Sequence, residues 1–311
     1  MTHNREKSGY VDLQVNGYAG VDFNDPAVTR EHLRSAAQAM ADDGVVAALP
    51  TVITGPRESM CLCIARIASA IRECDVVARV FRGIHVEGPF LSTTAGFIGA
   101  HPVENASPQD LQLLEQLLEA GEDQIRLVTL APEIDAGGAM TRLCAERGIR
   151  VAAGHTDAHI DQLACCIESG LSLFTHLGNG CPNLLHRHDN IIFRVLLMAD
   201  RLHISVIADG FHIPEALFRL YLRVIPREHF LVVSDAISAA GLGPGTYQLG
   251  ARSVKIGEDR AARDPSGEHF VGSASRMRDA DRWLEETIQL DPMHRFDLLA
   301  NNPARFLGIS P

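Results

Sequence analysis

The sequence predicts an α/β fold, a parallel (β/α)8 barrel of TIM type, on three observations. Short β-branched or aliphatic runs alternate with longer segments of helical period, about eight such units follow one another, and chemistry-bearing polar residues recur just after the aliphatic runs. A parallel sheet needs helical crossovers between its strands, and eight such units are enough to close one.

Val11–Val15 opens the first unit, with Arg30–Ala41 as its helix, and Val45–Val52 leads to Met60–Arg72. Val80–Val86 leads to Pro108–Ala120, Ile125–Leu130 to Ala139–Arg147, and Ile149–Ala153 to His159–Ser169. Leu171–Phe174 and His203–Ile207 follow, the latter leading to Pro214–Val224, and Phe230–Val233 is the eighth strand. The helical segments mostly place apolar residues at i, i+3, i+4 and i+7, the stripe that covers a sheet.

The rhythm then breaks into Gly241-Leu-Gly-Pro-Gly245, followed by Tyr247–Ile256 and Arg260–Val271, which read as a short β excursion of hairpins. Helical pattern resumes over Met277–Leu290 and His294–Phe306. A length of 311 residues fits two average domains or one barrel of roughly 250 residues with additions. With no low-complexity linker, repeat or charge block to divide it, 1–311 reads as one domain. A doubly wound open sheet is the alternative, but Asn16-Gly-Tyr-Ala-Gly20 after the first strand does not match the GxGxxG turn such a fold uses for phosphates.

Composition bounds the function. Hydrophobic residues make up 46% and charged residues 22%, a globular balance that argues against disorder and fibrous repeats. The 28 Lys+Arg against 39 Asp+Glu leave −11, which disfavours nucleic acid and anionic membranes but permits a local basic pocket. No run approaches the roughly 18 apolar residues of a membrane span and the start is polar, so a cytoplasmic protein is expected. The 7 cysteines form no CxxC pair, which points to reduced thiols in place of a disulfide framework or zinc ribbon.

In a parallel barrel the chemistry gathers at the C-terminal ends of the strands. Here strand one ends in Gln14 and Asn16, strand three in Glu87, strand five in His155, strand six in His176, strand seven in Asp209 and His212, and strand eight in Asp235. Taken singly, a Glu before Gly-Pro reads as a solvated turn and a His after an apolar run as a hydrogen-bonded core residue. The joint pattern reverses that reading. One carboxylate and two imidazoles from neighbouring strands suit one Zn²⁺ with a fourth position open to water. Asp235 is then the candidate base for metal-assisted hydrolysis. His85, His159, His186, His188, His203 and His229 read as structural or surface residues, and His3, His32, His269 and His294 have no distinguishing context.

Several segments carry a resemblance that runs from Val11 to about Ile309: Asp12-Leu-Gln-Val-Asn-Gly17, His85-Val-Glu-Gly-Pro-Phe90, Val128-Thr-Leu-Ala-Pro-Glu133, Ala153-Gly-His155, Thr175-His-Leu-Gly-Asn179, Ala208-Asp-Gly-Phe-His212, Val233-Ser-Asp-Ala236, Gly272-Ser-Ala274 and Asn302-Pro-Ala-Arg305. In this order they resemble the N-acetylglucosamine-6-phosphate deacetylase family of the amidohydrolase superfamily. The resemblance implies that Glu87, His155 and His176 hold the metal, that Asp235 activates the attacking water, and that His101 in Gly99-Ala-His-Pro102 polarises the acetamide carbonyl. It also implies substrate contacts from His212, Gly272 and Ser273, and phosphate contacts from the backbone N–H groups of Asn179 and Gly180. Arg187 matches an arginine that reaches the phosphate of a neighbouring subunit's substrate, so a homodimer is implied. Its planar fork pairs bidentately with phosphate oxygens.

Three departures shape the expectation. Gln14 and Asn16 stand where many amidohydrolases carry His-x-His, which favours a single metal. The small β-sandwich of the family is absent or reduced to the excursion Gly241–Val271. The loop 178–190 differs from better-known members, which bears on the substrate. The expected reaction is hydrolysis of N-acetylglucosamine 6-phosphate to the free amine and acetate. The galactosamine epimer, an unphosphorylated N-acetyl sugar, a cyclic amide or lactone, and a non-catalytic barrel are the alternatives.

Overall fold

Eight strands pair in parallel and in chain order: β1 (Tyr10–Val15), β2 (Val45–Ile53), β3 (Ile84–Glu87), β4 (Ile125–Leu130), β5 (Arg150–Ala153), β6 (Leu171–Phe174), β7 (His203–Ile207) and β8 (Phe230–Val233). The computed structural model describes residues 9–250, 252–258, 261–263 and 270–310. The sheet closes on itself just beyond β1 and β8. Val15 bridges Ala236 in parallel, the Asn16 N–H donates to the Ala236 carbonyl at 2.7 Å, and the Asp235 N–H donates to the Gln14 carbonyl at 3.0 Å. Buried Asp12 ties the same seam by accepting from the Ser234 N–H at 3.1 Å.

Helices α1 (Arg30–Asp42), α2 (Arg57–Glu73), α3 (Asp75–Val80), α4 (Leu111–Ala120), α5 (Ala139–Glu146), α6 (Ile160–Ser169), α7 (Ile191–Leu197) and α8 (Glu215–Val224) connect the strands. Their starts are chemically marked where the chain supplies a cap: Thr29, Asp110 and Asn190 accept from backbone N–H groups of the first turns of α1, α4 and α7. The third strand differs from expectation. Val80 ends helix α3, Gly83 at φ 142° breaks the chain, and β3 begins only at Ile84. Val77 and Val80 are buried from a helix, and a short aliphatic run does not distinguish the two backbones. Helices α3 and α7, of 6 and 7 residues, are too short for their period to show in sequence.

The excursion forms an antiparallel three-stranded sheet, β9 (Gly245–Leu249), β10 (Arg252–Ile256) and β11 (Ala262–Arg263), as the hairpin pattern predicts. Of the expected segment Arg260–Val271, Arg260 and residues 264–269 lie outside the described residues, as do His3 and His269. Leu249, Val254, Ile256 and Ala262 of this sheet pack on Ile53, Ile237 and Val271, so it lies beside the C-terminal mouth of the barrel. Helices α9 (Met277–Glu286), α10 (Pro292–Phe296) and α11 (Asn302–Leu307) end the chain, α10 and α11 being joined by a π turn over Asp297–Asn301.

Two apolar layers hold the barrel. Val11, Leu13, Ala47, Leu49, Leu127, Ala152, Leu173, Ile207, Leu231 and Val233 fill its interior, and a larger cluster lies between strands and helices. Ala304 and Phe306 of α11 belong to the interior cluster, so the C-terminal helix stoppers the end away from the strand tips. Phe306→Ala is expected to destabilise the protein by about 3–5 kcal/mol, because it empties a buried aromatic site, and a chemical-denaturation midpoint checks this. Among the described residues no helix is long and apolar enough to cross a membrane.

Candidate active site

Strand register brings the predicted residues together. In β1 the pairing with β2 slips between Asp12 and Val15. Val11 and Leu13 therefore face the barrel interior, yet the next residue, Gln14, also reaches inward and donates from Nε2 to Glu87 Oε1 at 2.9 Å. Beyond the strand, Asn16 Nδ2 donates to Asp235 Oδ1 at 2.7 Å.

His155, His176 and Asp235 sit just past β5, β6 and β8 at φ 52°, 34° and 47°. Non-glycine residues in this left-handed region cost of order 1–3 kcal/mol each, and they turn these three side chains into the mouth of the barrel. Glu87 Oε1 lies 2.9 Å from His176 Nε2 and 3.4 Å from His155 Nε2, and the three residues are buried. Their three ligand atoms lie within 4.8 Å of one another. His101 arrives from the loop after β3, with Nε2 3.2 Å from His155 Nε2 and 3.9 Å from Glu87 Oε2.

The protons of these rings follow from their partners. His155 Nδ1 lies 2.9 Å from the Phe97 carbonyl, which only accepts, so Nδ1 carries the hydrogen and Nε2 presents a lone pair. His101 Nε2, facing that lone pair, must then be the donor, and its Nδ1 lies 2.9 Å from Thr54 Oγ1. Burial, and next the neighbouring His155, hold the His101 imidazole well below its ordinary pKa, so it is neutral. Burial alone would raise the Glu87 carboxyl. The hydrogen bond from His176 and its charge outweigh it and hold that carboxyl well below the usual range. Burial first, and then the charge of Glu87, push Asp235 up to about 6. A buried and a half-buried carboxylate beside an imidazole lone pair fit a divalent cation, whose charge would relieve their repulsion. His176 Nδ1 is buried with no partner.

These groups line a cavity of about 90 Å³ with Asn16, Asn179, Gly180, His212, Phe270 and Gly272. Gly180, at φ 60°, lies so close to the His155 ring that a Cβ would stand 2.7 Å from its Nδ1. The Asn179 N–H, expected to face a phosphate, is already given to the His176 carbonyl at 2.9 Å, which corrects that part of the turn's expected role. Asn179 offers its side chain instead: Nδ2 is buried without a partner. Ser273 is buried behind Gly272, with Oγ 3.5 Å from Asp209 Oδ2, and does not line the cavity. Arg187 is exposed on the turn before α7 and does not line the cavity of its own chain either.

A larger neighbouring cavity of about 1060 Å³ contains none of the converging acids and imidazoles and shares with the first only the wall Ile53, Ala100 and Leu249. His85 is structural, as expected, its Nε2 2.7 Å from Thr129 Oγ1 and its Nδ1 3.4 Å from Thr51 Oγ1. Thr54 and the Phe97 carbonyl, which orient His101 and His155, were not foreseen. Thr54 follows β2 directly, so the strand-end rule applied to that strand would have found it, whereas a backbone carbonyl leaves no mark in sequence.

No family model matches the chain. It is 33% identical over 301 residues to N-acetylgalactosamine-6-phosphate deacetylase of Shewanella sp. (strain ANA-3), covering 96% of this chain and 73% of that one. It is 32% identical over 310 residues to human N-acetylglucosamine-6-phosphate deacetylase, covering 97% and 74%. Its fold superposes on the crystal structure of N-acetyl-D-glucosamine-6-phosphate deacetylase from Mycobacterium smegmatis with a TM-score of 0.87 at 27% identity, covering 97% of this chain and 78% of that one. The enzyme from Pasteurella multocida gives 0.86 at 26% identity, with 97% and 76% covered.

Proposed function

Because the chain belongs to the family of N-acetylglucosamine- and N-acetylgalactosamine-6-phosphate deacetylases, hydrolases of amide C–N bonds, we propose that it converts N-acetylglucosamine 6-phosphate to glucosamine 6-phosphate and acetate. The observation that carries this reading is the convergence of Glu87, His155, His176, His101 and Asp235 on one buried cavity. Glu87, His155 and His176 are the residues that would hold one divalent ion, with Zn²⁺ the best match to a His2Glu set. Such an ion acidifies a bound water and polarises a carbonyl.

The chain's own groups supply the rest. Asp235, fixed at one oxygen by Asn16, takes a proton from the attacking water as the new C–O bond forms, and returns it to nitrogen as the C–N bond breaks. The neutral His101 donates from Nε2 to the carbonyl oxygen, where negative charge develops. The cavity of about 90 Å³ is the size of the acetamide end, and His212, Gly272, Asn179 and Gly180, which line it too, are the groups the sugar would meet.

A second reading has a specific observation behind it, since the Shewanella relative is named for the galactosamine epimer. Acetate release from both 6-phosphates and from unphosphorylated N-acetylglucosamine, with metal-quantified protein, separates these readings. Fast release from the glucosamine derivative alone supports the proposal, and fast release from its epimer alone replaces it. No release from any of the three, with metal bound, points to a cyclic amide or lactone.

A homodimer completes the phosphate site in this reading. Arg187 is exposed, and the segment around it exposes Leu184, Phe193 and Leu197, 92%, 52% and 73% accessible, an apolar surface suited to a second copy. Arg187→Ala is expected to raise KM for the phosphorylated substrate roughly tenfold or more, as loss of a charge-assisted pair does, with little change in kcat. Mixing it with Asp235→Asn should restore activity if the arginine acts on the partner's site. Unchanged kinetics in Arg187→Ala would remove it from the phosphate site.

A further inference from the structure

We propose that Asp209 is a positioning residue that fixes His212 as the tautomer whose Nε2 accepts a hydrogen bond from a hydroxyl of the sugar. The sugar part of this rests on the deacetylase reading above. Asp209 follows β7, and its carboxylate is held by one short turn and, at 3.5 Å, by Ser273 Oγ. Oδ1 accepts from the N–H groups of Phe211 and His212, each at 2.9 Å, while Oδ2 stands 2.7 Å from His212 Nδ1. Both side chains are only 4% exposed.

A carboxylate only accepts, so Nδ1 of His212 carries a hydrogen and the neutral ring is left with its lone pair on Nε2. The ring packs against Phe270, centroids 4.8 Å apart, and lines the same cavity as Glu87, His155 and His176. The turn has no slack. Gly210, at φ 78°, sits under Trp283, whose Nε1 would be 2.7 Å from any Cβ there. Burial tends to raise the Asp209 carboxyl, but the hydrogen bond from His212 Nδ1 and those from the N–H groups of His212 and Phe211 outweigh it and keep the carboxyl ionised.

An imidazole presenting a lone pair is matched to a hydroxyl and mismatched to a phosphate oxygen, which has no proton to give. His212 therefore reads the ring of the substrate and leaves its anionic end to other groups. Sequence spacing could not show this, because an Asp three residues before a His on a loop is as often a turn former as a partner.

The test uses metal-loaded protein with ¹⁵N-labelled histidine. In the wild type at neutral pH, His212 is expected to show a protonated Nδ1 and an unprotonated Nε2. A protonated Nε2, alone or together with Nδ1, would overturn the proposal without any variant being made. Asp209→Asn keeps an oxygen for the two backbone N–H groups but turns an NH2 toward Nδ1, so the tautomer is expected to switch with the melting temperature little changed, as an Asp-to-Asn change beside a histidine can do.

With that switch, kcat/KM is expected to fall roughly 10- to 100-fold, mostly through KM. The loss should shrink severalfold for the 3-deoxy or the 4-deoxy substrate, whichever lacks the hydroxyl that is read. An equal loss with every substrate would show a structural role only. If the wild type releases acetate from no N-acetyl hexosamine 6-phosphate, the deacetylase reading fails, and the nitrogen signatures alone then decide whether Asp209 sets the His212 tautomer.

Discussion

Asp235→Asn is expected to lower kcat by roughly 10²- to 10⁴-fold, the usual contribution of a positioned general base, while leaving bound metal and KM nearly unchanged. The carboxylate is half-buried and held at one oxygen by Asn16 at 2.7 Å, so the amide occupies the same space but cannot take a proton from water. The pH profile gives a second readout. A base works only when ionised, and burial together with the charge of Glu87 pushes Asp235 up to about 6, so wild-type kcat/KM should fall as pH drops through that region. Cation charge beside Glu87 moves this limb to lower pH, never higher. The residual rate of the variant should lack the limb, and a variant retaining full turnover would remove Asp235 from the role.

His176→Ala is expected to abolish both metal retention and turnover, because His176 Nε2, 2.9 Å from Glu87 Oε1, is one of three buried ligand atoms that all lie within 4.8 Å of one another. Metal analysis of the purified protein should fall from about one ion per chain to near zero, since a site of this kind needs three protein ligands. Stability provides an independent check. A ligand present at about a hundred times its dissociation constant stabilises the folded state by ~2.7 kcal/mol, so a chelator should lower the melting temperature of the wild type but not of the variant. Stoichiometric metal in His176→Ala would show that the residue is not a ligand.

Much of this protein was legible from its residues alone. The alternation of aliphatic runs with amphipathic segments is dictated by burial on two faces of a parallel sheet, and it located all eight strands, seven of them within a residue at both ends. The rule that chemistry follows a barrel strand located Glu87, His155, His176, His212 and Asp235, because only the strand tips converge on one place. Val80 was misplaced because a buried aliphatic run carries no mark of its backbone. Helices α3 and α7 were missed because two turns hold too few residues to show a period.

What only the tertiary structure decided is the state of each group once there. The slipped register in β1 turns Gln14 onto Glu87, 73 residues away, and barrel closure sets Asn16 on Asp235, 219 residues away. The Phe97 carbonyl fixes the proton of His155 from 58 residues away, Thr54 meets His101 across 47, and Arg187 stands outside its own chain's cavity. Local sequence specifies which side chains an element presents, through its period and its ends. Tautomer, ionisation and reach depend on distances between elements, and those exist only after the eight strands have closed.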